Sequence, residues 1–219
     1  MAPGPALVLV TDNPNSWSVR NNAELVDQLR AAGCSATLVH AVKDAPPADI
    51  AVYLNCERIV PASERARYQH NLIVHASALP KGRGWSPMTW QILEGAEHIM
   101  LTMFEAADAV DSGAVYFQSE LRFSGHELID EMRAALALAS NELVLRFARQ
   151  WPHVQAREQT GEPTFYARRR PGDSRLDPDR SLRENFALLR VVDNERYPAY
   201  FEHAGHIYEL RITKRGPAT

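Results

Sequence analysis

Cysteine is scarce in this chain of 219 residues: there are two, Cys34 and Cys56, with no C-x-x-C spacing. That argues against a disulfide framework and against a cysteine-built zinc site, and it fits a reducing cytosol. No metal is expected. Cys34 reads as a small core residue. An excess of one charge is missing too. Lys and Arg total 24 against 27 Asp and Glu, net −3, so there is no basic field on the scale that nucleic acid requires. Long hydrophobic runs are absent, and nothing approaches the ~18 consecutive apolar residues of a membrane helix. The N-terminal stretch M-A-P-G-P-A-L-V-L-V lacks a basic segment and has only a short apolar run, which argues against a signal peptide. Glycine is missing from the loop T-D-N-P-N-S-W (11–17), so the G-x-G-x-x-G of a nucleotide-dependent oxidoreductase is not there. The expectation is a cytoplasmic protein with neither a nucleic-acid nor a membrane partner.

What is present alternates. Residues 6–10, 36–40, 50–54 and 72–74 read as strands, and 22–32 as an amphipathic helix with Leu25, Val26 and Leu29 on one face, closed by Gly33. A helix over 85–94 stops at Gly95; strands 99–105 and 114–120 follow. The longest helix, 127–151, is apolar at Leu128, Met132, Ala135, Leu136, Ala139, Leu143 and Phe147. This order predicts an α/β fold, a doubly wound, mostly parallel twisted sheet with helices on both faces. Its last two strands are placed to pair antiparallel. Composition changes near Gln155, which divides the chain into an α/β domain (1–154) and an extension (155–219). The extension holds a basic irregular stretch (164–177) and a capping box, Ser181 with Glu184, opening a short helix to Val191. Segments 198–203 and 206–213 flank Ala204-Gly205, a β-hairpin signature.

The chemistry concentrates at residues 71–87, N-L-I-V-H-A-S-A-L-P-K-G-R-G-W-S-P. Leu72-Ile73-Val74 is a buried strand by pattern, His75 sits at its end, and a Pro/Gly-punctuated loop follows. Ligands of open α/β sheets bind beyond the carboxyl ends of strands. Asp111-Ser112-Gly113 lies 36 positions after His75. A lone histidine at a strand end is commonly structural, and D-S-G alone is ordinary turn chemistry. Facing one another, the two make an acid/base pair.

That pattern resembles the hydroxymethyl- and formyl-transferase family that uses N10-formyltetrahydrofolate. The family carries H-x-S-L-L-P-x-x-R-G-x-x-P after a central strand, then a D-x-G loop at this separation. Here the motif reads His75-Ala76-Ser77-Ala78-Leu79-Pro80-Lys81-Gly82-Arg83-Gly84-Trp85-Ser86-Pro87. The resemblance implies a Rossmann-like formyltransferase fold and a catalytic pair of His75 and Asp111. It also exposes a departure. The family has an asparagine two residues before the histidine, and this chain has Ile73. Asn71 shares that strand face but lies about 6.6 Å further along, too far to stand in. Ser77 and Asn55 are the candidate replacement donors.

By the same resemblance, the backbone of Cys56-Glu57-Arg58-Ile59-Val60 lines a pterin slot, and 105–111, with Asp108, closes the other wall. Backbone groups suit a pterin, whose edge alternates donors and acceptors. Lys81, Arg83, Gly84, Trp85 and Arg169 are the acceptor-side candidates, because arginines grip phosphates through paired hydrogen bonds. Trp17, Phe165 and Tyr166 could stack on a sugar or base. The extension resembles the helix-and-hairpin tail of sugar N-formyltransferases, including those of pseudaminic-acid-type pathways, rather than the C-terminal barrel of methionyl-tRNA formyltransferases. The implied reaction moves a formyl group to the amine of an activated, nucleotide-linked amino sugar. The alternatives are a catalytically weak folate-binding module and a formyltransferase for methionyl-tRNA or glycinamide ribonucleotide. A homodimer is left open.

Overall fold

Apolar β-branched runs separated by amphipathic helices set the order of elements. The computed structural model describes residues 4–217; the N-terminal reading over residues 1–3 lies outside them. In chain order the elements are β1 (Ala6–Val10), α1 (Val19–Ala31), β2 (Ser35–Val39), β3 (Ile50–Tyr53), a short α2 (Ala62–Arg65), β4 (His70–His75), a two-residue β5 (Arg83–Gly84) and α3 (Pro87–Leu93). Then come β6 (His98–Glu105), β7 (Val115–Arg122), α4 (Ile129–Gln150), a two-residue β8 (Phe165–Tyr166), α5 (Phe186–Val191), β9 (Ala199–His203) and β10 (His206–Leu210).

Six strands form one sheet in the order β2-β1-β3-β4-β6-β7. Neighbours pair in parallel from β2 to β4, while β6 runs antiparallel to both β4 and β7. The fold is the expected mostly parallel α/β sheet. Period-two alternation divides its core. Leu7, Leu9, Ile50, Val52 and Leu72 pack with Leu25 and Leu29 of α1 and with Met132, Leu143 and Phe147 of α4. Val8, Val10, Ala51 and Tyr53 point the other way, against Val42, Ala45 and Tyr68. Phe147 is fully buried, with the rings of Tyr116, Phe117 and His70 set edge-on around it. Among the described residues, no helix is long and apolar enough to cross a membrane.

Several boundaries differ from the sequence expectation, each for a local reason. β4 starts at His70 instead of residue 72, because its ladder with β3 begins at Ile50↔His70 and its two polar residues find partners. α3 starts at Pro87, since Ser86 is left-handed (φ 47°) and cannot continue a helix backwards. The Ser181–Glu184 box forms, with Ser181 Oγ donating to Glu184 at 2.7 Å, yet the chain turns before α5 begins at Phe186. α2, β5 and β8 carry too few residues to have a period.

The tail is fastened to α4 and the segment leading into it by three cation–carboxylate links: Arg190 to Glu127 just before the helix (3.1 Å), Arg133 to Asp193 (2.8 Å) and Lys214 to Glu131 (2.6 Å). Each carboxyl titrates below its ordinary value. Burial pushes Asp193 up, but the Arg133 hydrogen bond and the N–H groups of Arg196 and Glu195 outweigh it. Burial also opposes the shift at Glu127, where the Ser124 N–H and the charges of His126 and Arg190 prevail. Lys214 is the main cause at Glu131. A carboxyl depressed in the folded state contributes stability that is present above its unfolded pKa, about 4, and lost as pH falls through the folded one. Acid below about pH 4 should therefore loosen the tail first. Amide exchange over 186–214 should rise steeply between pH 4 and 3 after correction for intrinsic rates, while β1 and β3 stay protected. A tail as protected at pH 3 as at pH 6 would contradict this.

Candidate active site

β1 and β3 are sheet neighbours, but their loops leave in different directions, β1 towards β2 and β3 towards β4. This is the place where open α/β sheets bind ligands. A cavity of about 1000 Å³ opens there. Its lining comes from two sets of elements. One is residues 54–60, Ile73, His75, Phe104 and the loop after β6 (Ala106, Ala107, Ala109, Val110, Asp111). The other is Trp17 and Asn22 near and on α1, Met88 and Thr89 of α3, Arg133, Ser140 and Asn141 of α4, and Arg168, Arg169, Asp193, Arg196 and Tyr197 of the tail.

His75 ends β4 with its ring almost fully buried (9% exposed). Its Nε2 lies 2.8 Å from the Gly82 carbonyl and 3.6 Å from Asp111 Oδ2. Both neighbours are acceptors, so the ring keeps a proton on Nε2. Asp111 Oδ2 in turn accepts the Gly84 N–H at 2.8 Å. Asp111 itself is left-handed (φ 49°), a conformation Asp tolerates better than most residues. Two residues on, a Cβ at Gly113 would sit 1.7 Å from the Glu105 carbonyl, so only glycine lets the loop return to β7. The expected pair thus shares one cleft, just beyond direct hydrogen-bond distance.

Ile73 shares the His75 face of β4 and lines the cavity. Asn71 does not line it. Its Oδ1 accepts from Tyr53 OH at 3.0 Å and its Nδ2 donates to the Arg65 carbonyl at 3.0 Å, so the whole amide is committed to the scaffold. Asn55 does reach the cavity, from a left-handed backbone (φ 54°).

Four other expectations are corrected by placement. Ser77 lies beneath Gly82, 1% exposed and outside the cavity lining, because the loop folds back over it. Asp108 turns outward to pair with Arg65 while its neighbours line the wall. Lys81 is exposed and lies off the lining. Arg83 is off it too, directed at Gln159 at 2.7 Å by the pairing of β5 with β8. Gly84, Trp85 and Arg169 do line the cavity. Arg169 spends its donors on the Val191 carbonyl (3.1 Å) and Ser174 Oγ (3.1 Å), and burial lowers its pKa.

The 56–60 wall is held from below. Asp12 accepts the N–H groups of Glu57 and Arg58 at 2.9 Å each. Burial pushes the Cys56 thiol up to about 12, so it is no nucleophile at neutral pH. Glu57 is bound at 3.0 Å by Arg168, whose guanidinium lies 4.4 Å from the Trp85 ring centre. Thr89 and Asn141 are buried (7% and 5% exposed) and line the cavity with no hydrogen-bond partner for their side chains among the described residues. Neither was singled out from sequence; each looks like an ordinary residue of a helix.

A family model described as "Formyl transferase" matches residues 11–148. The chain belongs to the formyl transferase family. A methionyl-tRNA formyltransferase of Thermodesulfovibrio yellowstonii is 24% identical over 145 residues, 65% of this chain and 47% of that protein. The chain thus spans about half the length of that curated relative. Among solved family-like structures, a methionyl-tRNA formyltransferase from Clostridium thermocellum has a TM-score of 0.74 at 20% identity, over 97% of this chain and 94% of that one. A sugar N-formyltransferase from Shewanella sp FDAARGOS_354 has a TM-score of 0.68 at 17% identity, over 97% and 99%. HypX from Aquifex aeolicus, in complex with tetrahydrofolic acid, has a TM-score of 0.72 at 14% identity, over 95% of this chain and 38% of that one. At these identities the likeness is one of fold.

Proposed function

We propose that this chain transfers a formyl group from N10-formyltetrahydrofolate to the amine of a small, activated amino sugar, in the cytoplasm. Residues 1–154 act as the catalytic domain, and 155–219 close its acceptor side. The observation that carries the reading is the His75–Asp111 pair buried at the floor of a single large cavity.

The donor end fits a folate. Leu54, Val60, Ile73, Phe104 and Val110 make apolar walls for a flat ring. Because Asp12 occupies the N–H groups of Glu57 and Arg58, recognition of the pterin edge falls to the remaining backbone of 54–60. N10-formyltetrahydrofolate supplies a formyl carbon; a C–N bond to the amine forms, the bond to N10 breaks, and the amine's proton ends on N10. His75 holds its proton at Nε2 towards Gly82 and Asp111, which leaves Nδ1 as the ring's acceptor for the amine proton. Asp111, fixed by Gly84, stabilises the charged ring.

The acceptor end favours a small polar molecule. Thr89 and Asn141 offer unbonded polar atoms, and Arg196 lines the cavity without an ion pair among the described residues, which suits a phosphate-bearing ligand. A methionyl-tRNA acceptor is the second reading, favoured by the two relatives of that description. A turnover assay with 10-formyl donor separates them: nucleotide-linked amino sugars should be formylated, and methionyl-tRNA should not. Formylation of methionyl-tRNA alone would replace the first reading with the second.

Donor recognition by backbone has its own check. Arg58→Ala should leave folate affinity within about twofold, since an exposed side chain contributes little there, whereas Val60→Pro should weaken it severely by reshaping the wall. Titration calorimetry with a stable folate analogue reads both. A large loss from the alanine change alone would mean that side chains carry the recognition.

A further inference from the structure

We propose that Gln159 is a positioning residue that fixes Asp111 against His75, an inference that rests on the formyl-transfer reading. Gln159 lies outside residues 11–148, in the first stretch of the tail, and does not line the cavity. All its polar capacity is nevertheless directed at the catalytic loops. Its Nε2 donates to the Asp111 carbonyl and to the Gly113 carbonyl, both at 2.8 Å. Its Oε1 accepts from Arg83 at 2.7 Å.

Both ends of that link matter. The Asp111 loop carries a left-handed non-glycine residue, a conformation that Asp adopts at a modest cost and that surrounding contacts hold in place. Gln159 supplies two of those contacts, on either side of Ser112. Arg83, at the other end, sits between the two residues that hold the pair: Gly82, whose carbonyl faces His75, and Gly84, whose N–H binds Asp111. One side chain therefore ties the carboxylate's loop to the loop that receives it. The surrounding tail is fixed to the same two loops. Arg157 and Val115 exchange backbone hydrogen bonds at 2.7 and 2.9 Å, and Arg83 N–H donates to the Thr164 carbonyl at 2.9 Å. Gln159 is thus held between two backbone anchors and has little freedom to move without the loops.

Gln159→Glu keeps the length and the acceptor for Arg83 but removes both N–H donors and sets a carboxylate against two carbonyl oxygens. The kcat for formyl transfer should fall about 100-fold, the scale of a misplaced catalytic group, with donor and acceptor KM within about twofold of wild type. Independently of activity, hydrogen exchange at the Gly84 amide, the donor to Asp111, should rise at least about tenfold while amides of β1 and β3 keep their protection. Gln159→Asn, neutral and one methylene shorter, repeats both readouts if the glutamate variant does not fold. Glu158→Ala, an exposed neighbour, is the control and should change neither. Unchanged Gly84 exchange in both Gln159 variants would overturn the proposal, as would a loss expressed mainly in KM. Wild-type protein that transfers no formyl group, yet shows the Gly84 response to Gln159→Glu, would locate the failure in the proposed reaction and leave the positioning contact standing.

Discussion

Replacing His75 by asparagine should lower kcat roughly 10²–10⁴-fold, the usual contribution of a positioned acid/base group, with folate affinity close to wild type. Asparagine can still donate towards Gly82 but cannot take a proton from an amine. Ile73→Asn makes the opposite test. Ile73 lines the cavity on the His75 face of β4, where an added amide could donate to the formyl oxygen as charge develops on it. One such donor is worth ~2.7–4 kcal/mol in other acyl-transfer enzymes. The variant should fold and hold or raise turnover. Asn71→Ala is the control: it removes partners of Tyr53 and Arg65 and should lower stability by about 1–3 kcal/mol with only a modest change in rate. Rates from stopped-flow absorbance of the folate, beside thermal melts, decide all three. Loss of turnover in Asn71→Ala at unchanged stability would mean that Asn71 reaches the site in the active protein.

The second large effect is expected at Asp111. Asn is the informative replacement, since it tolerates the left-handed backbone and can still accept the Gly84 N–H. What it loses is the charge 3.6 Å from His75 Nε2. The same exchange costs about 10⁴ in kcat in the serine-protease triad, and a fall of two to four orders is expected here with little change in melting temperature. A rate within threefold of wild type would remove Asp111 from the mechanism.

Much of this was legible in the sequence. Apolar runs such as Leu7–Val10 and Ile50–Tyr53 have one sensible home, the middle of a parallel sheet, and the helix carrying Met132, Leu143 and Phe147 repeats at 3.6 residues. His75, Asp111 and the Ile73 departure stand out through the resemblance to the family motif; strand alternation adds that Ile73 shares the His75 face. What escaped depends on distant backbone. Nothing local distinguishes Gln159 from a surface glutamine; its meaning arises when β5 pairs with β8, some 80 residues apart. Asp12 reads in sequence as one more residue of a polar loop, although its acceptor oxygens set the 57–58 wall. The resemblance implies a place for Asp108 in the cavity wall, and the positive charge of the 81–85 loop suggests one for Arg83. Each belongs to a segment that touches the cavity through its neighbours, because successive side chains along such loops point in different directions.

The His75–Asp111 cleft is proposed to move a formyl group despite Ile73. This is met most directly by incubating the protein with N10-[13C]formyltetrahydrofolate and nucleotide-linked amino sugars, and following the labelled carbon by NMR. The resonance should move from the folate to a sugar formamide with wild type and Ile73→Asn, and stay on the folate with His75→Asn. Folate that binds tightly while its formyl carbon never reaches any amine would contradict formyl transfer at this cleft and leave a folate-binding module in its place.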